Sequence, residues 1–533
     1  MQADGIPYRA TGYFPLLICD YLDRLEDIKP FYNRFPSLEN FAAQIKEKSK
    51  NFPLSQRQVL ANALTDQYES TVVSKKTKAH IDALKNDNTF TIVTGHQLNL
   101  FTGPTYFVYK IISAINLCES LKKTFPQNNF VPVYWMASED HDFEEINYFN
   151  FQGQKIRWER PEGGAVGRME TMGLEAVFDV FSKKLGNSKN AVKIKDLFRN
   201  AYLEHSDLTS ATRYLVNALF GDHGLVIIDG DDVNLKQCLV PYIKKDIFEG
   251  VAHAHVTKTI AELKETGKNY SIQVNPREIN YFYLQDGLRE RIIERDGQYI
   301  VNNTNLSFDR KALEKEMDTH PERFSPNVIA RPLYQEIILP NLCYIGGGGE
   351  ISYWLELRHY FKAVDITFPI LLLRNSALIV DEKEANKIQK LDLTWSDLFL
   401  TQNTLINKKI RQISNIDINF DPQKKVLETQ FTALYELAKR TDASFLGAVK
   451  AQEKKQKNGL DHLEKRLLKA QKRVLKDQVS RMTELQNTLF PNYSLQERQL
   501  NFSELFLKYG EDLIPQLKKA LQPLNLEFSI LRY

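Results

Sequence analysis

The sequence predicts an α/β fold with a mainly parallel sheet, followed by a long helical segment, and three observations carry that reading. Short apolar runs recur between helix-favouring stretches at Thr89–Val93, Val131–Ala137, Leu225–Asp229, Leu342–Ile345 and Ile366–Leu373. Such alternation is expected of parallel strands joined by crossover helices. After Asp381 the chain turns to helix formers, with Leu460, Leu463, Leu467, Ala470, Val474, Met482, Leu485 and Leu489 in an approximate heptad broken near Asp477 and Gln478. That pattern fits a long antiparallel helical hairpin or coiled coil. Finally, 533 residues exceed one small core, at ~100 to 200 residues per domain. The expected divisions are a core over 1–380 with insertions near 149–173 and 265–310, a helical domain over 381–492, and a tail over 493–533 returning to the core.

Taken in order, Leu38 to Leu84 is polar, helix-favouring sequence that should pack on the sheet, with Phe52-Pro53-Leu54-Ser55 as an interruption and helix start. A strand-like excursion, Phe149 to Trp158, precedes the loop Pro161 to Gly167. Between Ser271 and Val301, Asp286-Gly287 and Asp296-Gly297 are hairpin-turn signals between alternating runs, which predicts a small antiparallel insertion. Pro491 ends the last long helix.

Charge and cysteine usage narrow the function. Lys and Arg number 70 against 67 Asp and Glu, so a net charge of +3 gives no field that calls for nucleic acid or an anionic membrane. Lys450 to Lys476 carries ten Lys/Arg against three acids but no aromatic residue, which reads as a solvated helix face rather than an RNA-binding stripe. Four scattered cysteines form no CxxC pair, and no export signal or membrane span is evident. A soluble protein in a reduced, cytoplasmic setting is expected.

Several segments hold the residue types that chemistry needs. In TIVTGHQLNLFTGPTYFVYK, Thr91 to Lys110, a β-branched run breaks at Gly95-His96-Gln97 and restarts after Thr102-Gly103-Pro104 as a helix bearing Tyr106 and Lys110. Such a turn can aim backbone N–H groups at an anion, with Pro104 in the first helical turn. It matches neither the P-loop nor the GxGxxG spacing, and a plain tight turn is the alternative. Asp140, His141 and Asp142 follow the second strand, at the end where open α/β sheets bind ligands. They would supply a general base, an amine site, or ligands to Mg²⁺ or Zn²⁺. His253 and His255 would have to complete a metal site, and a surface helix accounts for them as well, so no tightly bound metal is assigned. In NLCYIGGGGEISY, Gly347 and Gly348 would cradle an anion beside Glu350 and Tyr353, the alternative being a flexible left-handed loop. Within SPNVIARPLYQE, which also holds Asn327, Arg331 would grip a carboxylate or phosphate, or else pair with Glu336.

Together, TGHQLNLFTGPTYFVYK, PVYWMASEDHDFEEIN, SPNVIARPLYQEIILPNLCYIGGGGEISYW and PNYSLQER resemble the bacillithiol biosynthesis cysteine-adding enzyme family, cysteine ligase BshC, in order and over nearly the whole chain. The resemblance implies a Rossmann-like core related to nucleotidylyltransferases and class I aminoacyl-tRNA synthetases, and a coiled-coil domain through which two chains pair as a homodimer. It implies joining L-cysteine to the amine of glucosaminyl malate, with the carboxylate activated by ATP and Mg²⁺ as an optional companion. His96, Asp140, His141 and Asp142 would then be catalytic. Gly95, Gln97, Thr102, Gly103, Tyr106, Lys110, Asn327, Arg331, Gly347, Gly348, Glu350 and Tyr353 would bind substrate. An adenine-nucleotide site (ATP or ADP) is implied where the helical domain joins the core, at Arg374, Ser376, Lys383, Gln496, Arg498 and Tyr509, with an interdomain polar clamp as the alternative. The turn at Gly95-His96-Gln97 holds one histidine where the related HxGH motif holds two, and no KMSKS-like lysine loop follows. Two other functions remain open: a metal-dependent hydrolase of an N-acyl sugar built on the Asp/His cluster, and a non-catalytic nucleotide-sensing coiled-coil scaffold.

Overall fold

Residues 2–161 and 163–533 are described by the computed structural model; Met1, and Glu162 in the loop after the first excursion, lie outside the described residues. Five strands form the central sheet: β1 Thr89–His96, β2 Asn129–Met136, β3 Val226–Asp229, β4 Asn341–Gly346 and β5 Ile370–Leu373. All pairings are parallel and the spatial order is 3-2-1-4-5. In this doubly wound arrangement the strand order reverses between β1 and β4. Residues of β1, β4 and β5 are buried throughout, as expected for strands covered on both faces, which therefore read as apolar runs. β1 extends past Val93 because Thr94, Gly95 and His96 keep pairing with Tyr134, Trp135 and Met136.

Helix Tyr106–Thr124 covers one face of the sheet through Phe107, Ile111, Ile115 and Leu121. Pro104 stands before its first residue and forms an isolated bridge with Asn501, not part of the first helical turn. Helices Leu38–Asn51, Leu54–Gln67 and Lys75–Ala83 are tied to the core by polar contacts. Lys48 Nζ lies 3.1 Å from Glu336 in a buried ion pair, and Arg57 donates to the Thr89 carbonyl at 2.7 Å.

The antiparallel insertion contains Tyr281–Gln285, Leu288–Arg295, Gln298–Val301 and Ser307–Phe308, with Phe324–Pro326 joining at the opposite edge. Its turns place Gly287 at φ +69° and Asp296-Gly297 at +53° and +76°, conformations that favour glycine and aspartate. Tyr148–Phe151 and Gln154–Arg157 form a separate two-stranded ribbon.

Helices Asp421–Ala438 and Ala443–Val474 form the hairpin of the coiled-coil domain, packed around Phe431, Ala438 and Val449. The long helix breaks at Leu475 and resumes as Lys476–Leu489. The chain then returns: Glu527–Arg532 pairs antiparallel with Gln2–Pro7 and parallel with Ala377–Val380. Among the described residues no helix is long and apolar enough to cross a membrane.

Candidate active site

The reversal of strand order leaves a crevice of about 840 Å³ at the carboxyl ends of the strands. Gly95 and His96 end β1 there. A Cβ on Gly95 would stand 3.3 Å from the Tyr344 hydroxyl and 3.8 Å from Arg331 Nη1, so glycine lets β1 approach that wall. Gly95→Ala should destabilise the protein by about 1 kcal/mol, the lower end of overpacking costs, as measured by urea unfolding.

Beneath this turn, buried Lys110 donates from Nζ to the Gly95 carbonyl at 2.8 Å and to the Glu350 carboxylate. Burial pulls its pKa below the ordinary lysine value, with Glu350 opposing that shift. Glu350 also accepts from Gly347 N at 2.8 Å. The anion at the four-glycine turn is thus the chain's own carboxylate. None of Gly346 to Gly349 adopts positive φ, so the left-handed-loop alternative does not describe them. Close packing does: a Cβ on Gly346 would meet Glu350 Oε2 at 2.8 Å, and one on Gly348 would meet Pro15 at 3.2 Å.

The start of helix Tyr106–Thr124 is tied to the returning tail. Thr105 N donates to the Leu500 carbonyl at 2.7 Å, while Asn501 Nδ2 donates to the carbonyls of Phe101 and Gly103. The returning tail thus takes the Thr105 N–H that precedes the helix. Thr102 (φ +68°) and Gly103 (φ +61°) shape the loop and stay outside the crevice lining. His96 lines it, packed against Tyr106 and Phe107 with ring centroids 5.5 and 5.0 Å away. Burial, reinforced by the charges of Lys110 and Arg374, drives its pKa well below the usual imidazole value, and its buried Nε2 has no protein partner among the described residues.

Across the crevice, Asp140 accepts from Gln97 Nε2 and from His141 N, each at 2.7 Å. Burial opposes its ionisation, but the hydrogen bonds from the His141 backbone N–H and Gln97 and the Arg289 charge outweigh it and hold its pKa below the ordinary carboxylate value. Asp142 instead caps helix Phe143–Ile146, accepting from Glu145 N at 3.2 Å, and does not line the crevice.

Arg331 enters from helix Ala330–Ile338. It does not pair with Glu336, which is taken by Lys48 and Asn341. Its Nη1 donates to Gln335 at 3.1 Å, its Nη2 lies 3.5 Å from the Tyr353 hydroxyl, and the guanidinium stands 5.7 Å from the ring centroids of Trp135 and Tyr344. Asn327 caps that helix, accepting from Ile329 N and Ala330 N.

The antiparallel insertion, with Arg289 and Arg291, and the segment leading into it, with Arg277, contribute a wall that sequence reasoning missed. Arg289 and Arg291 are two residues apart on one strand and so share a face, the available signal for them. Among the described residues, Arg277, Arg289, Arg291, Arg331 and Arg498 have no carboxylate within ion-pair distance.

The junction residues do not gather in one cleft. Arg374 pairs with Glu497 at 2.7 Å, both buried, and donates to Ser376 Oγ. Gln496 exchanges bonds with the Ile379 backbone, Tyr509 packs on Tyr533, Lys383 is exposed, and Arg498 lines the main crevice. Arg374, Ser376 and Gln496 have the geometry of an interdomain clamp. His253 and His255 ride on helix Val251–Glu265, outside the crevice lining. Among the described residues no cluster of three or more His, Cys, Asp or Glu side chains is arranged to hold a metal ion.

Residues 1–375 match the N-terminal Rossmann-like domain of the bacillithiol biosynthesis protein BshC, and residues 377–533 match its C-terminal coiled-coil domain. The chain belongs to the BshC family. A protein of Flavobacterium johnsoniae named "Putative cysteine ligase BshC" is 56% identical over 531 residues, covering 100% of both chains. BshC proteins so named from Christiangramia forsetii and Salinibacter ruber are 55% and 30% identical, covering 100% and 98% of this chain and 99% and 96% of their own.

Proposed function

We propose that this BshC-family crevice joins the carboxylate of L-cysteine to the amine of glucosaminyl malate, forming the amide bond of bacillithiol with ATP as activator. One observation carries the reading beyond the relatives' names: arginines without carboxylate partners face the same cavity as an ionised aspartate. The acceptor bears carboxylates on its malate and an ammonium on its sugar. Guanidinium groups hold carboxylates in bidentate fashion, which suits Arg331 and the rim formed by Arg277, Arg291 and Arg498. Asp140 suits the ammonium, although a carboxyl held below the ordinary carboxylate pKa is too weak a base to remove its proton at neutral pH.

ATP, when bound, supplies the activation that turns the cysteine carboxylate into an acyl donor. The cationic crevice wall and the unpaired His96 Nε2 fit its phosphates, whereas Arg374, Ser376 and Gln496 are committed to internal bonds. Any Mg²⁺ would arrive with the phosphates. The metal-dependent hydrolase finds less support, because His141 Nδ1 lies 2.7 Å from a guanidinium, where a metal would need a free lone pair.

The same reading pairs two chains through the helical hairpin, whose Val426, Leu437 and Leu463 are exposed apolar side chains. It is set in the cytoplasm, as suits four free thiols. The test is to incubate the protein with cysteine, glucosaminyl malate and ATP and follow products by mass spectrometry, with light scattering for the dimer. Bacillithiol accompanied by equimolar AMP or ADP is expected; no bacillithiol from these three substrates would refute the proposal.

A further inference from the structure

We propose that Arg289, brought to the crevice by the antiparallel insertion, is a positioning residue that fixes His141 as its Nε2–H tautomer, making His141 a hydrogen-bond donor to substrate rather than the base that deprotonates the amine. For what His141 contacts, this rests on the ligase reading above; the tautomer itself rests on geometry alone.

Arg289 Nη1 lies 2.7 Å from His141 Nδ1. A guanidinium has donors only, so the ring nitrogen facing it at that distance must present its lone pair. The proton of the ring then sits on Nε2. Asp140 Oδ1 lies 3.4 Å from the same Nδ1 and would suit a proton there. The shorter contact decides, because two N–H groups cannot face each other at 2.7 Å, and Oδ1 already accepts from His141 N at 2.7 Å.

The donor is held rigidly. Arg289 Nε donates to Ser325 Oγ at 3.2 Å, and its guanidinium stacks 3.9 Å from the centroid of Phe282. His141 leans on the same ring, 5.7 Å between centroids. Strand pairing between Leu284 and Arg289 anchors the hairpin that carries both Phe282 and the arginine. His141 lines the cavity, with no protein hydrogen bond to Nε2 among the described residues. Nε2–H is therefore available to a substrate oxygen, and with Nδ1 engaged, the ring offers the amine no lone pair.

The test is a two-bond ¹H–¹⁵N correlation spectrum of the full-length protein labelled at histidine, with His141 assigned by its loss in His141→Gln. The wild type should show a protonated Nε2 and an unprotonated Nδ1. Arg289→Met should convert this to an Nδ1–H ring turned toward Asp140 or to an imidazolium, and Arg289→Lys should restore the original pattern in part. In turnover, Arg289→Met should lower kcat about 10- to 100-fold, as removal of a group that orients a site residue does, with KM for cysteine little changed. An Nδ1–H or imidazolium signal in the wild type would overturn the proposal, as would an unchanged His141 signal in Arg289→Met. The wild-type spectrum decides even if that variant fails to fold. Because the spectrum needs no turnover, a failed ligase assay and a wrong tautomer are separate results.

Discussion

An Arg331→Met chain should form bacillithiol with kcat/KM lowered about 10²- to 10³-fold, as when one preorganised donor is removed from a charge-binding site, yet unfold no more easily in urea than the wild type. The two halves of this expectation have one cause. The Arg331 guanidinium is partly withdrawn from water, with an amide oxygen and a phenol for company and no carboxylate within ion-pair distance among the described residues. Such a charge costs desolvation without the return that an ion pair would give, so an apolar side chain of similar length leaves stability unchanged or raises it by about 1 kcal/mol. A structural arginine would behave in the opposite way, losing stability and sparing turnover. Arg331→Lys keeps the charge but loses the planar fork, and should recover only part of the activity.

Asp140→Asn should lower kcat/KM about 10²-fold and also leave a signature in stability against pH. Burial works against the charged carboxyl, but hydrogen bonds from the His141 backbone N–H and Gln97 and the charge of Arg289 hold its folded pKa below the ordinary carboxylate value. A carboxyl depressed on folding stabilises the folded state above its unfolded pKa, and that contribution is lost as pH falls through the folded value. The difference in unfolding free energy between wild type and Asp140→Asn should therefore be constant from pH 5 to 8 and shrink as pH falls from about 4 toward 2. A difference that stays flat down to pH 2.5 would show that Asp140 is not held ionised by these partners.

The parallel sheet was legible because doubly covered strands are written as unbroken apolar runs, such as Ile370–Leu373 between more polar helices. The hairpin insertion was legible because Asp296-Gly297 demands positive φ at both positions. His96 and Asp140 could be placed at one crevice since His96 falls where the first apolar run ends and Asp140 just beyond the second. Partners of those residues were harder to foresee. Leu500 and Asn501 close the start of a helix almost 400 residues earlier, and the tail's path is set by strand Glu527–Arg532 joining the amino terminus. Glu350 looked free in sequence, but the fold turns it back onto Gly347 and Lys110. The arginine wall was hidden for a similar reason: Arg289 reaches His141 across 148 positions, and only the packing of the insertion brings them together.

The arginine-lined crevice at the switch in strand order is expected to bind the anionic acceptor. Isothermal titration of glucosaminyl malate and of plain glucosamine into wild-type and Arg331→Met protein tests it most directly. Arg331→Met should weaken glucosaminyl malate at least tenfold, about 1.4 kcal/mol, while glucosamine, which lacks the malate carboxylates, should bind both chains alike. Equal affinity of the two chains for glucosaminyl malate would contradict it.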